Sequence, residues 1–229
     1  DLLSFSDCGN RFPLSDYRTD LTELLSAFGE NQLTGTVYGL LGKIHPAKCC
    51  FEIVDALELL LSRGRELSVL ACIGGYNEHL KLWFQKINST KDLKKRIRNV
   101  PLVAPWRVPG VLSVCDGIFF LEQGFDIEYH SSRIPLEILA RRKVMLLSTS
   151  SASTLPFFSL LQNKENCILV DDPRDVQALA EACSLVCDEK KRDIIVKNSE
   201  EVREIVLKRI GIANRVSAAL LRIGHGKAL

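Results

Sequence analysis

No apolar stretch in the 229 residues approaches the roughly 20 needed to cross a bilayer, so no transmembrane segment is expected. The start, Asp1-Leu2-Leu3-Ser4, lacks both a basic region and an initiator methionine. It does not read as a signal peptide, and the missing methionine gives the expectation of a fragment cut from something longer. Charge of one sign is not in excess. Lys and Arg number 30 against 28 Asp and Glu, a net charge of +2, so nothing demands nucleic acid. The densest basic run, Lys91 to Arg98, is expected to be the wet face of a helix, with RNA or membrane-surface contact as the other use of such a run. The eight cysteines (8, 49, 50, 72, 115, 167, 183 and 187) contain no Cys-x-x-Cys pair, and the four histidines (45, 79, 130, 225) do not cluster with them. Zinc is therefore not expected, nor is a disulfide framework in a chain of this length. Cys72 and Cys167 sit in apolar runs, where a thiol behaves as a small hydrophobe. Reduced thiols and a cytoplasmic location are the expectation. Internal repeats and low-complexity segments are also absent.

Hydrophobic residues make up 46% of the chain and charged ones 25%, an ordinary globular profile with enough apolar mass for a substantial core. Apolar runs at 35–41, 67–73, 101–104, 117–121, 143–148 and 167–170 predict strands. Helical patterns fill 48–63, 76–97, 109–115, 133–142, 154–162 and 174–187 between them. Near-continuous apolar strands separated by helices predict an α/β fold, a Rossmann-like, doubly wound parallel sheet of about six strands covered on both faces. Three regions are expected. Residues 1–34 form an irregular linker with a short helix over Tyr17 to Phe28. Residues 35–187 form the sheet domain. Residues 188–229 form an amphipathic helical tail.

In such a sheet, ligands bind beyond the carboxyl ends of the strands at the topological switch point. The loop Gly42-Lys43-Ile44-His45-Pro46-Ala47-Lys48 follows the first apolar run directly. Glycine permits close backbone approach, the following helix offers its positive end, and Lys43 and Lys48 would face whatever carries phosphate. Two solvated lysines in an ordinary loop are the alternative. The turn Gly74-Gly75 would open on the same edge, or be simple punctuation between strand and helix.

With that fold in place, the sequence resembles the C-terminal, donor-binding half of the family-four glycosyltransferases, retaining enzymes of the GT-B fold. Gly42 to Lys48 resembles the family's Gly-Arg-x-x-x-x-Lys, with lysine at 43 in place of arginine. Leu67 to Gly75 resembles its strand and glycine turn. Cys115-Asp116-Gly117-Ile118-Phe119-Phe120 resembles the segment leading to the signature region. Pro135-Leu136-Glu137-Ile138-Leu139-Ala140 resembles the helix bearing the second glutamate of Glu-x7-Glu. Leu155-Pro156, Asn166 to Val170 and Asp172 to Ala180 resemble the run that closes the domain. Tyr129 stands at the first glutamate's spacing, with Glu128 beside it and Glu122 further upstream. Arg142 and Val144 replace the usual glycine and proline. His130-Ser131-Ser132-Arg133 resembles a histidine-serine variant of that region.

The resemblance implies one half of a GT-B fold and a nucleoside diphosphate sugar as ligand. Gly42, Lys43, Lys48, Ser131, Ser132 and Arg133 would hold the diphosphate. Glu137, with Glu128, would hold the ribose and sugar, and Gly74, Gly75 and Trp106 would line the base. It implies a hexosyltransferase whose acceptor site and catalytic residues lie in a missing N-terminal domain, so that this half would be inactive alone. No metal or other cofactor is implied. Two other readings stay open. One is half of a sugar-nucleotide epimerase, for which no matching acid/base set is present. The other is a degenerate, non-catalytic GT-B-like module used for protein contact or structural support.

Overall fold

The computed structural model describes residues 33–123 and 133–225, apart from the side chains of Trp106 and of 210–225. The short helix expected over Tyr17 to Phe28 and nearly all of the linker lie outside the described residues. So do Glu128, Tyr129, Ser131 and Ser132.

Six parallel strands form one sheet: β1 (Thr36–Lys43), β2 (Leu67–Gly74), β3 (Ile97–Pro101), β4 (Gly117–Phe120), β5 (Val144–Ser148) and β6 (Ile168–Val170). Their order is β3-β2-β1-β4-β5-β6. The chain winds outward from β1 to β3, returns, and winds the other way from β4 to β6, so the switch point lies between β1 and β4. β1 and β2 run in full register from Thr36 opposite Leu67 to Lys43 opposite Gly74. Every residue from Thr36 to Leu41 is buried, as is every residue from Leu67 to Ile73, because helices cover both faces.

The helices are α1 (Cys50–Ser62), α2 (Asn77–Ser89), α3 (Val108–Ser113), α4 (Ile134–Ala140), α5 (Thr149–Ser153), α6 (Val176–Cys187) and α7 (Glu189–His225). One core joins the sheet to α1, α2 and α6 through Ile53, Leu57, Trp83, Leu179 and Val186. The other joins its opposite face to α3 and α4 through Leu112, Ile138 and Leu139, and takes in Val202 and Val206 of α7. Burying side chains of this size stabilises by about 1.5–3 kcal/mol each. Trp83 is fully buried, and its Nε1–H donates to Asn99 Oδ1 at 2.8 Å, so α2 is pinned to β3 by a satisfied polar tip.

Three expected elements shift. The third strand is Ile97–Pro101 rather than 101–104, and the preceding helix stops at Ser89 rather than 97. The basic run is therefore not a helix face. It is a turn, Leu93–Lys95, followed by β3, in which Arg98 is buried. Glu58 of α1 explains this. Its carboxylate accepts the N–H groups of Lys91, Asp92 and Leu93 at 2.7, 3.0 and 2.8 Å, bonds that a helix would have spent internally. The helix expected at 154–162 lies instead at Thr149–Ser153, capped by Ser148, whose Oγ accepts from the Ser151 N–H at 3.1 Å. Pro156 and a turn at Phe158–Leu160 follow. The described part of the tail, Glu189–His225, is one continuous helix, α7.

Candidate functional site

β1 delivers Gly42 to the carboxyl edge of the sheet with a φ of 117°, a conformation that side chains rarely adopt. Lys48 Nζ lies 3.5 Å from where a Cβ at Gly42 would stand, so the ammonium rests over this bare stretch of backbone. Gly75 has a φ of 128°, and a Cβ there would meet the backbone N and O of Ile44 at 3.3 Å each. The Ile44 N–H donates to the Gly74 carbonyl at 2.8 Å. The two glycine turns are thus locked side by side, with Lys43 exposed at the end of β1.

Between the lysines the chain makes a turn at Pro46–Lys48. His45 caps it in extended backbone, with Nδ1 accepting from the Ala47 N–H at 3.1 Å. Cys49, at a φ of 51°, swings the chain into α1, whose amino end therefore opens on the same edge. The His45 and His79 rings meet edge to face at 5.0 Å, and Tyr76 lies 6.0 Å from His79. Polar rings and two cations thus gather around Gly42 and Gly75.

Across the switch point, β4 runs out through Leu121 into Glu122, a buried carboxylate. Lys48 Nζ pairs with Glu122 Oε1 at 2.5 Å, and the Gln123 N–H donates to the Ala47 carbonyl at 2.7 Å. The Glu122 backbone is itself held, its carbonyl accepting from Ser148 Oγ at 2.6 Å. The loop after β1 and the exit of β4 are therefore bonded through both side chain and main chain. The sequence marks Glu122 as a charged residue ending an apolar run, upstream of the expected first glutamate. Its pairing with Lys48 follows from β4 lying beside β1, which no local pattern encodes.

Glu137 stands in the first turn of α4, the helix that follows β4. Burial pushes its carboxyl up to about 7, partly offset by the charges of Arg133 and Arg141. Its N–H donates to the Arg133 carbonyl at 3.0 Å. Arg133 is exposed at the start of the same helix. Trp106 belongs to the turn Pro105–Arg107, beyond the carboxyl end of β3 and two strands from the switch point. Of the expected site residues, Gly42, Lys43, Lys48, Gly74 and Gly75 are brought together directly. Glu137 and Arg133 open the helix beyond the neighbouring strand.

Among the described residues, no group of three His, Cys, Asp or Glu side chains could hold a metal ion. The described cysteines are all free thiols. No described helix is long and apolar enough to cross a membrane. What the arrangement offers is cations and close backbone at a sheet edge, the chemistry of an anion site.

No protein-family model matches the chain, and no curated protein sequence does. Solved structures do match. One is the C-terminal domain of a glycosyl transferase group 1 family protein, LpcC, from Francisella tularensis. It is 20% identical, with a TM-score of 0.61 over 82% of this chain and 90% of that one. A second is Anabaena HepE in complex with UDP and glucose, 19% identical, TM-score 0.64, covering 90% of this chain and 55% of that one. A third is sucrose-phosphate synthase from Thermosynechococcus elongatus, 15% identical, TM-score 0.65, covering 93% and 50%. At these identities the likeness is one of fold: this chain has the Rossmann-like architecture of a GT-B C-terminal domain. It spans about half the length of HepE and of the synthase.

Proposed function

We propose that this chain is the donor-binding half of a glycosyltransferase and holds a nucleoside diphosphate sugar at the switch point between β1 and β4. One observation carries the reading: the Lys48 ammonium lies over Gly42, next to the interlocked turn at Gly75 and the exposed Lys43. A diphosphate needs cations and closely approaching backbone, and this edge supplies both. A carboxyl at the start of the helix after β4, Glu137, suits the ribose diol. Ser131, Ser132 and Glu128, outside the described residues, remain candidates for the phosphate and sugar, as does Arg133 for the phosphate. Gly74, Gly75 and Trp106 remain candidates for the base.

Transfer of a hexose-type sugar would need an acceptor held against the donor in a water-poor cleft. The reading assigns that acceptor to an N-terminal domain of the same protein, with residues 1–34 as the hinge. It places the reaction in the cytoplasm and uses no metal. HepE is described with UDP and with UDP-glucose, which makes uridine diphosphate the first probe. Calorimetric titration of uridine diphosphate into the chain should show saturable binding that weakens at least tenfold in Lys43→Ala combined with Lys48→Ala. Equal affinity in the parent and the double variant would overturn the assignment.

A second reading, a non-catalytic module, is favoured by a specific observation: Glu122 already neutralises Lys48. The same titration separates the two, because a degenerate module would bind no nucleotide.

A further inference from the structure

The proposed diphosphate site contains a carboxylate that no phosphate cradle requires. Glu122 is 6% exposed, stands next to Lys48 across the switch point, and touches its Nζ at 2.5 Å. The contact is not an incidental meeting of two long side chains. The backbone on the Glu122 side is fixed by Ser148 Oγ to its carbonyl at 2.6 Å and by the Gln123 N–H to the Ala47 carbonyl at 2.7 Å. On the Lys48 side, the turn at Pro46–Lys48 is closed by the Cys49 N–H to the Pro46 carbonyl at 3.0 Å. Both partners therefore start from anchored main chain, and little is lost in holding them together.

We infer that Glu122 is an internal competitor for Lys48 and sets the affinity of this chain for the diphosphate of its ligand. The inference rests on the donor-binding reading above. A lysine ammonium has three donors and one charge. A diphosphate arriving over Gly42 meets an ammonium whose charge is already compensated, and it meets the Glu122 carboxylate as a like charge close by. It must displace that carboxylate from Nζ or share the lysine with it, and either route weakens binding. Lys43, exposed next to Gly42, is not engaged in this way and becomes the cation first met by phosphate. Glu122 thus acts on affinity through Lys48, as a positioning residue rather than a catalytic one. Its effect falls on phosphate-bearing ligands and leaves the nucleoside alone.

The test compares uridine diphosphate and uridine in the parent chain, Glu122→Gln, Lys48→Ala and the double variant. Glu122→Gln keeps the shape and the main-chain bond to Ser148. It should tighten uridine diphosphate about tenfold, equivalent to about 1.4 kcal/mol, and leave uridine unchanged. In the Lys48→Ala background the same substitution should give a clearly smaller gain. Binding in the parent with no tightening in Glu122→Gln overturns the inference and leaves the donor-binding reading standing. Tightening of uridine to the same extent also overturns it, since the effect would not be on phosphate. Binding by Glu122→Gln alone would support it and would make the natural chain a silenced site. No uridine diphosphate binding to any of the four would end both. Should the Gln variant lose cooperative unfolding, Glu122→Asp draws the same charge back by one methylene and should tighten binding by a smaller factor. No change there would count against the inference.

Discussion

The two edges of the sheet use their carboxylates differently. At the amino edge, two acids accept from backbone, and one of them, Asp116, also faces Arg192 at 3.8 Å. Glu58 takes three N–H groups from the turn before β3, and Asp116 takes the Val37 N–H at 2.8 Å at the start of β1. At the carboxyl edge, the described acids of the site stand otherwise. Glu122 pairs with a lysine, and Glu137 is driven towards its neutral form by burial. An acid bonded to backbone serves the fold, because the donors it satisfies exist only there. An acid held by a side-chain cation, or driven towards neutrality by partial burial, is available to a ligand. Asp116 makes the point sharply. It belongs to a segment that resembles the approach to a signature region, yet it lies at the amino edge and ties β1 to β4.

The largest test of this division is Glu58→Ala. Three backbone donors lose their acceptor, and the turn that ends α2 and starts β3 loses its anchor. We expect a stability loss of about 3 kcal/mol, from hydrogen bonds to a charged group at about 1.5–3 kcal/mol each, much reduced because water replaces part of them. Uridine diphosphate affinity should not change. Urea unfolding and calorimetry check the two halves, and a folded Glu58→Ala with weakened nucleotide binding would break the comparison. The hydrogen bonds from Lys91, Asp92 and Leu93 hold the Glu58 carboxyl below its ordinary value despite an opposing contribution from burial. Its stabilisation is therefore present above the unfolded value and fades as acid is added.

Glu137 should behave in the opposite sense. Its folded carboxyl titrates near 7, above the unfolded value of 4.5. Between these, the folded chain keeps a proton that the unfolded chain has released, so stability falls as pH rises across that window. Below it both states are protonated, and above it both are ionised and the whole penalty is present. Glu137→Gln carries no such proton. At pH 8 the variant should exceed the parent in stability by about 2 kcal/mol, a value discounted for partial exposure, and the gap should close near pH 4.5. It should also bind uridine more weakly. Parallel pH profiles that never converge would show that Glu137 is not the buried titrating acid.

These contrasts explain what could be read from residues alone. The sheet was legible because its strands are buried on both faces and appear as near-continuous apolar runs, such as 36–41 and 67–73. The glycine loop at 42–48 was legible because it follows one of those runs directly. The third strand was not, because Ile97 and Val100 are interleaved with Arg98 and Asn99, and because the break in the preceding helix is made by Glu58, more than thirty residues away. The helix expected at 154–162 lies earlier, at Thr149–Ser153, for a local reason: the serine cap at 148 starts it sooner, and Pro156 follows its end. The Lys48–Glu122 pair was invisible for a topological reason. The glycine loop marks Lys48 as a phosphate-facing cation and Glu122 stands upstream of the expected glutamate pair, but nothing local joins the two until strand order sets β4 beside β1.

Lys43 gives the smallest and cleanest effect. It is exposed at the end of β1, beside two glycine turns whose geometry is set by backbone bonds that do not involve its side chain. Lys43→Ala should therefore leave stability within about 0.5 kcal/mol of the parent. On the donor-binding reading it removes a cation from phosphate and should weaken uridine diphosphate by about 1 kcal/mol, near the low end for a hydrogen bond to a charged group. The loss should be larger at low ionic strength, since an exposed cation is screened by salt. Lys48→Ala is a poorer probe of the same question, because it also strands the buried Glu122 and mixes a stability cost into the binding change. The pair of variants thus sorts the two lysines. A substitution at 43 that alters affinity without altering the unfolding midpoint places phosphate at the exposed side of Gly42. No change in affinity at either salt concentration would move the anion away from this loop and leave Lys48 and Glu122 as an internal clasp between β1 and β4.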